Sequence, residues 1–222
     1  MQNTHAGKAQ SYDLGRPAYP AAFYDWFYDM FCREAVIADI GTGTGKVTQG
    51  FLERGSRVFA VEPDEDMRRI LRTKLNGYAN CTVLETCAEE TGIPTGAVDL
   101  IFCGNSYHWF DRTQAVPEFK RILRESGRVN VVLANLGHGA GSPPPFRDGA
   151  FEAKELEFTI YQDWDTFLNG MLSTSFSPNP GDDCYVDYEQ ILRRFFDNHS
   201  RNELLKSEFR LCCTIGNVND LI

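Results

Sequence analysis

The stretch Asp39-Ile40-Gly41-Thr42-Gly43-Thr44-Gly45 decides the fold of this chain. The run 35–40 that leads into it is typical of a short buried strand, and residues 46–55 have the pattern of a helix that Gly55 closes. Because glycine has no side chain, the backbone amides of such a turn can approach a ligand closely. A strand, a glycine turn and a helix in this order predict a site for a nucleotide or a carboxylate.

Two phosphate-binding motifs compete for this turn, and the spacing disfavours both. A Walker A loop would need a glycine in place of Ile40 and a hydroxyl residue in place of Val47. The dinucleotide fingerprint GxGxxG would need its third glycine at Lys46, whereas the spacing here is GxGxG. Glu62 ends the next predicted strand about twenty residues further on, where a carboxylate can accept both ribose hydroxyls. The pattern favours a ribose-containing cofactor without a pyrophosphate, although Glu62 alone would also suit NAD.

Strands and helices alternate along most of the chain. Strand-like runs occupy 35–40, 57–62, 82–87, 98–104, 128–135, 150–161 and 208–218, and helical patterns occupy 21–32, 46–55, 64–75, 113–126, 163–172 and 186–199. Pro20 suits the first position of the first helix. Near-continuous Val, Ile and Ala runs are typical of parallel strands buried on both faces. The sequence therefore predicts an α/β fold: a doubly wound, mostly parallel seven-stranded sheet with one antiparallel strand and helices on both faces.

Composition limits the class of protein. The net charge of −9 argues against a nucleic-acid-binding surface, which needs clustered Lys and Arg. The seven cysteines lack the CxxC spacing of zinc or redox sites, and the four histidines are scattered, so we predict reduced thiols and no metal. No segment has the length and apolarity of a membrane span, and the first ten residues do not have the pattern of a secretory signal. We expect a cytoplasmic protein, monomeric or homodimeric, without a membrane partner.

The motifs resemble those of a known family. IADIGTGTGK (37–46) followed by VFAVEPDEDM (58–67) is similar to the first two motifs of class I S-adenosylmethionine-dependent methyltransferases. VDLIFCGNSYHWFD (98–111) and YDLGRPAYP (12–20) resemble the small-molecule branch that contains trans-aconitate methyltransferase. The resemblance covers essentially the whole chain. It implies S-adenosylmethionine as the cofactor and S-adenosylhomocysteine as the product.

The resemblance also implies roles for particular residues. The turn backbone would face the methionine part of the cofactor, Asp39 its ammonium group and Glu62 its ribose. Met67 would lie against the adenine, although its apolar spacing on a helix also suits the core. The full set of expected cofactor-binding residues is Tyr12, Arg16, Asp39, Gly41, Thr42, Gly43, Gly45, Glu62, Pro63, Met67, Ala88, Glu89 and Asn105.

A catalytic role is expected at one position. His108 follows the fourth strand, where a neutral imidazole can take a proton from an oxygen or nitrogen nucleophile. It can instead shape the pocket beside Trp109, since methyl transfer often needs chiefly alignment and desolvation, and a carboxylate acceptor needs no base.

The domain organisation follows from length and composition. We expect a single methyltransferase domain over 1–222, with residues 1–33 as an N-terminal segment and helix covering the cofactor. The Gly- and Pro-rich stretch 136–150 opens a lid or cap-like insertion over 136–185. The predicted function is methyl transfer to an oxygen, nitrogen or carbon nucleophile of a small molecule. Two alternatives remain: an NAD-dependent oxidoreductase, which Lys46 disfavours, and a non-catalytic S-adenosylmethionine-binding sensor.

Overall fold

A computed structural model describes residues 7–124, 130–137 and 145–222. Seven strands form one sheet: β1 (Val36–Ile40), β2 (Arg57–Val61), β3 (Cys81–Leu84), β4 (Leu100–Gly104), β5 (Val131–Gly137), β6 (Phe151–Gln162) and β7 (Leu205–Gly216). Their order is β3-β2-β1-β4-β5-β7-β6. The first five strands pair in parallel, and β7 pairs antiparallel with β5. The predicted fold class is confirmed.

Along most of the chain the helices alternate with the strands, as predicted. They are α1 (Ala9–Gly15), α2 (Ala21–Met30), α3 (Lys46–Leu52), α4 (Glu65–Leu75), α5 (Arg112–Ile122), α6 (Trp164–Leu172) and α7 (Tyr185–His199). The sequence did not predict α1, which is only seven residues long and has no extended apolar repeat. Pro20 is the N-cap of α2, so the prediction that it occupies the first helical position was wrong by one residue.

Several predicted elements end earlier than expected. The helix α3 ends at Leu52 with Glu53 as its C-cap, so the prediction that Gly55 closes it was wrong. Pairing explains two other early ends. β3 stops at Leu84 because its partner β2 ends at Val61, the residue in register with it. α5 stops at Ile122 because the next residue turns extended and bridges to Val98, ahead of β4. Residues 125–129 lie outside the described residues. They include the end of the predicted helix 113–126 and the start of the predicted strand 128–135.

The chain divides into two compact units, one of residues 1–18 and 158–209 and the other of residues 19–157 and 210–222. The larger unit contains the glycine turn. The single-domain expectation, the cofactor-covering role of 1–33 and the insertion over 136–185 stay predictions, and residues 1–6 and 138–144 of those ranges lie outside the described residues.

An aromatic cluster fixes α3 in the larger unit. Phe23 and Phe27 of α2 pack against Phe51 of α3, with ring centroids 6.1 and 4.8 Å apart, and Phe51 packs edge-on against Phe102 of β4 at 5.2 Å. All four rings are fully buried. Because buried aromatic rings contribute strongly to core stability, this cluster holds α3, and with it the glycine turn, against the sheet.

A buried lysine ties the smaller unit together. The Nζ of Lys8 donates to the backbone oxygens of Thr174 (2.8 Å) and Ser177 (2.6 Å) and to the Ser177 hydroxyl (3.0 Å). Nearby, the backbones of Gly15 and Gly170 touch, so that a Cβ added to Gly15 would stand 1.9 Å from the Gly170 nitrogen. The helix α1 is therefore held on α6 and on the loop that follows α6.

Replacing Lys8 by methionine should loosen this unit. The aliphatic stem is kept but three hydrogen bonds are lost, which we expect to cost about 2 kcal/mol. Amide hydrogen exchange should accelerate in residues 9–15 and 173–177 and stay unchanged in β1. Lys154→Met, at an exposed position on β6, is the matched control. Equal exchange rates in the two variants would contradict the assignment.

Candidate active site

The glycine turn has a left-handed backbone at its three glycines. The φ angles are +72° at Gly41, +62° at Gly43 and +81° at Gly45, values that other residues rarely adopt. The amides of Gly41 and Thr42 donate to the Val61 oxygen at 2.9 and 3.1 Å, which joins the turn to the end of β2. The repeated glycine of the sequence therefore corresponds to a backbone conformation that only glycine adopts readily.

The turn is packed closely against the loop that follows β4. A Cβ added to Gly41 would lie 2.5 Å from the Cβ of Ser106. Ser106 is itself anchored, because its hydroxyl donates to the Ile40 oxygen at 2.6 Å. Sequence reasoning missed Ser106, since a serine after a strand has no distinctive signal.

Asp39 is a buried acid at the carboxyl end of β1. Its side chain is 2% exposed and accepts a short hydrogen bond at Oδ2 from the hydroxyl of Thr48, which sequence reasoning also missed. Burial raises the pKa of Asp39 to about 7 against the opposing effect of this hydrogen bond, and the negative charge of Glu62 adds to the rise. An acid held in this way would gain from a cationic ligand.

The raised pKa predicts an unusual pH dependence of stability. Since the folded carboxyl has a higher pKa than the unfolded one, the folded state binds the proton more tightly, and stability falls as pH rises from about 4 to about 7. Asp39→Asn removes this loss. The free energy of unfolding of the variant, measured in urea between pH 5 and pH 8, should rise relative to wild type by roughly 1 kcal/mol per pH unit up to pH 7. A difference that does not change with pH would contradict this.

Glu62 follows β2 and contacts the glycine turn directly. One carboxylate oxygen accepts from the Gly43 amide at 2.7 Å and the other from the Asp64 amide at 2.9 Å. Burial raises its pKa, against the opposing effect of these two hydrogen bonds. Behind it, Arg68 donates to the Glu62 backbone oxygen at 3.0 Å. Glu62 is thus fixed against the glycine turn, and it directly follows the strand at whose end the sequence predicted it.

The expected adenine-side residues lie in two segments of the larger unit. Met67 is 5% exposed on α4, and Pro63 is exposed in front of that helix. Ala88, in the loop after β3, is 2% exposed and belongs to the main core cluster. Glu89 is half-buried and accepts from the Asp111 amide at 2.9 Å, which links this loop to the start of α5. Their contact with a cofactor stays a prediction.

Asn105 lies beside β1 at the carboxyl end of β4, in a left-handed conformation with φ +54°. Its side-chain amide donates to the Leu136 oxygen (3.0 Å), and its side-chain oxygen accepts from the Leu136 amide (2.7 Å). Both ends of the side chain therefore brace β4 against β5. A ligand contact by Asn105 stays a prediction.

Aromatic residues follow β4 in a short helical turn, Tyr107–Trp109. Trp109 is 43% exposed and its ring lies 4.9 Å from that of His108, which is also exposed. Partial burial nevertheless lowers the pKa of His108, so the imidazole is mainly neutral at pH 7. The Tyr107 hydroxyl is buried and has no hydrogen-bond partner among the described residues.

Tyr12 and Arg16 belong to the smaller unit. Tyr12 lies in α1, and the Arg16 guanidinium packs over its ring at 5.5 Å from the centroid. The Arg16 Nε also donates to the Ser173 hydroxyl at 2.9 Å. These contacts give both residues a structural role, and their expected contact with the cofactor stays a prediction.

The residues at the turn fit S-adenosylmethionine on structural grounds. The buried hydroxyl of Thr44 has no partner among the described residues, and the side chain of Asp39 forms no ion pair there. The site offers two carboxylates, those of Asp39 and Glu62, and three glycines without side chains. These groups suit a ligand with an ammonium group and a ribose.

Within the described ranges, no three His, Cys, Asp or Glu side chains cluster as metal ligands would. The described helices include none that is both long and apolar enough to cross a bilayer.

Comparison with known proteins agrees with this geometry. Residues 38–131, which run from β1 into β5, match the family model of the methyltransferase domain. Over this stretch the chain is similar to methyltransferase domains. An uncharacterized methyltransferase of Mycobacterium tuberculosis is 37% identical to the chain over 122 residues, which are 55% of this chain and 48% of that protein. The matched part thus spans about half the length of this relative.

Solved structures share the fold of this chain. A protein of Anaeromyxobacter dehalogenans, described as a type II methyltransferase, superposes with a TM-score of 0.68 at 22% identity over 91% of this chain and 98% of that one. A Haemonchus contortus phosphoethanolamine N-methyltransferase in complex with phosphomonomethylethanolamine and S-adenosylhomocysteine superposes with a TM-score of 0.56 at 14% identity, over 97% of this chain and 58% of that one. At these identities the likeness concerns the Rossmann-like methyltransferase fold.

Proposed function

We propose that this protein transfers the methyl group of S-adenosylmethionine to a small-molecule acceptor and releases S-adenosylhomocysteine. The observation that carries the proposal is the pair of buried carboxylates, Asp39 and Glu62, on either side of a glycine turn within the stretch that matches the methyltransferase-domain model. Asp39 would bind the ammonium group of the cofactor and Glu62 its ribose hydroxyls. S-adenosylmethionine supplies an electrophilic methyl group on a sulfonium sulfur.

The remaining site residues are proposed to serve the cofactor and the acceptor. Gly41, Thr42, Gly43 and Gly45 would allow the cofactor to approach the turn backbone, while Pro63, Met67, Ala88 and Glu89 would line the adenine and Asn105 the edge next to it. Tyr12 and Arg16 would cover the cofactor from the N-terminal segment. The motifs at 98–111 and 12–20 favour the small-molecule branch that contains trans-aconitate methyltransferase.

His108 is proposed as the base for an acceptor that must lose a proton. Its lowered pKa keeps the ring neutral at pH 7 and able to accept that proton from a hydroxyl or an amine. With such an acceptor, kcat/KM of the wild-type protein should rise as pH increases through the pKa of the imidazole, and His108→Asn should abolish this rise. A carboxylate acceptor would make turnover independent of this residue, and an unchanged pH profile with a hydroxyl or amine acceptor would refute the role.

Ligand-induced thermal shifts test the cofactor. A ligand that binds the native state raises the unfolding midpoint, so S-adenosylmethionine and S-adenosylhomocysteine should each raise it and NAD should not. Stabilisation by NAD alone would instead support an NAD-dependent oxidoreductase. Release of S-adenosylhomocysteine with a panel of small acids, phenols and amines then separates an enzyme from a sensor, because a sensor binds the cofactor without turnover.

A further inference from the structure

Thr48 is a buried polar residue to which the proposed function assigns no task. It lies in the first turn of α3, its side chain is fully buried, and its hydroxyl donates to Oδ2 of Asp39. The hydrogen bond links the end of β1 to α3 across the whole glycine turn. Threonine is a weak helix former, so helix propensity does not account for it there.

The groups around Asp39 are neutral or negative. The negative charge of Glu62, after β2, raises the pKa of Asp39. The other groups are Tyr24 of α2, Cys81 of β3 and Cys103 of β4, and the pKa of each of them is raised in turn by the Asp39 charge. No lysine or arginine of the described chain pairs with Asp39 to offset this. The ionised form of the acid therefore depends on the hydroxyls of Thr48 and Thr42, which both lower its pKa, Thr48 more strongly. The Thr48 hydroxyl donates to Oδ2 of the carboxylate, whereas the Thr42 hydroxyl donates to the Asp39 backbone oxygen.

We propose that Thr48 is a positioning residue whose hydroxyl favours the ionised form of the Asp39 carboxylate, the form that binds the ammonium group of the cofactor. The inference rests on the proposed function, because it assumes that Asp39 binds that ammonium group. A hydrogen bond to the ionised carboxylate favours the charged form, and valine at position 48 would keep the side-chain volume while removing the donor.

Calorimetric titrations between pH 6 and pH 8.5 test the proposal on wild type, Thr48→Val and Thr48→Ser. Two ligands are compared: S-adenosylhomocysteine, which has the ammonium group, and 5′-methylthioadenosine, which lacks it. Thr48→Val should bind S-adenosylhomocysteine about tenfold more weakly than wild type at pH 6 and within about twofold at pH 8.5, where Asp39 is ionised without help. Thr48→Ser should restore wild-type binding, and methylthioadenosine should bind all three proteins alike.

The outcomes separate this proposal from the proposed function. The proposal is overturned if Thr48→Val weakens the binding of S-adenosylhomocysteine equally at every pH, or weakens the binding of methylthioadenosine to the same extent. Either result would show that Thr48 acts on the fold alone. Folded wild-type protein that binds neither ligand at any pH would refute the proposed cofactor itself. If Thr48→Val does not fold, Thr48→Cys can be used, because it retains a weak donor of similar size. The pH at which its affinity for S-adenosylhomocysteine is half-maximal must then lie above that of wild type. An unmoved midpoint would also overturn the proposal.

Discussion

Replacement of Gly41 by alanine is expected to weaken the binding of S-adenosylhomocysteine by at least about 30-fold and to lower the free energy of unfolding by about 3 kcal/mol. The new methyl group would stand 2.5 Å from the Cβ of Ser106, a distance that real Cβ atoms do not tolerate. Ser106 cannot move away without breaking its hydrogen bond to Ile40. The turn would therefore have to shift, and the cofactor-facing backbone would shift with it. Isothermal titration and urea unfolding measure the two effects.

Gly92→Ala is the matched control for Gly41→Ala. Gly92 has the same φ of +72°, but a Cβ added there meets only the Cγ2 of Thr86, at an ordinary 3.8 Å. It therefore incurs the cost of a left-handed conformation, about 1 kcal/mol, without a clash. Its cofactor affinity should match that of wild type. If both variants lost the same stability and the same affinity, the contact between Gly41 and Ser106 would not be the cause.

Replacement of Glu62 by alanine is expected to reduce S-adenosylhomocysteine affinity by about 100-fold or more, because two charge-assisted hydrogen bonds to a ribose correspond to at least about 3 kcal/mol. The same change leaves the amides of Gly43 and Asp64 without their side-chain acceptor, so the ligand-free turn should also lose order. Titration calorimetry measures the affinity, and amide hydrogen exchange at the turn measures the order.

The control for Glu62→Ala is Glu65→Ala, three residues further on at the exposed start of α4. It removes the same charge without touching the turn, and should change stability by only a few tenths of a kcal/mol. Affinity that falls alike in both variants would indicate a general electrostatic effect and would remove the ribose role from Glu62.

The order of strands and helices could be predicted from the sequence because it depends on local patterns. Continuous apolar runs define β1, β2 and β4, and the spacing of apolar residues defines α4 and α7. The ends of β3 and α5 could not be predicted in this way, because they are set by the register with β2 and by the bridge to Val98. Pairing partners that are distant in sequence leave no trace in a local window.

The glycine turn and Glu62 were the parts of the site that the sequence by itself determined. Left-handed φ angles strongly favour glycine, and an acid at the end of an apolar strand stands out against its neighbours, so both leave a local signal. Only the tertiary structure decided that the Glu62 carboxylate accepts from Gly43, that Ser106 packs against Gly41 and that Thr48 donates to Asp39. Serine and threonine are common throughout a chain, and a buried hydroxyl acquires its role from the group that folding places within hydrogen-bond distance.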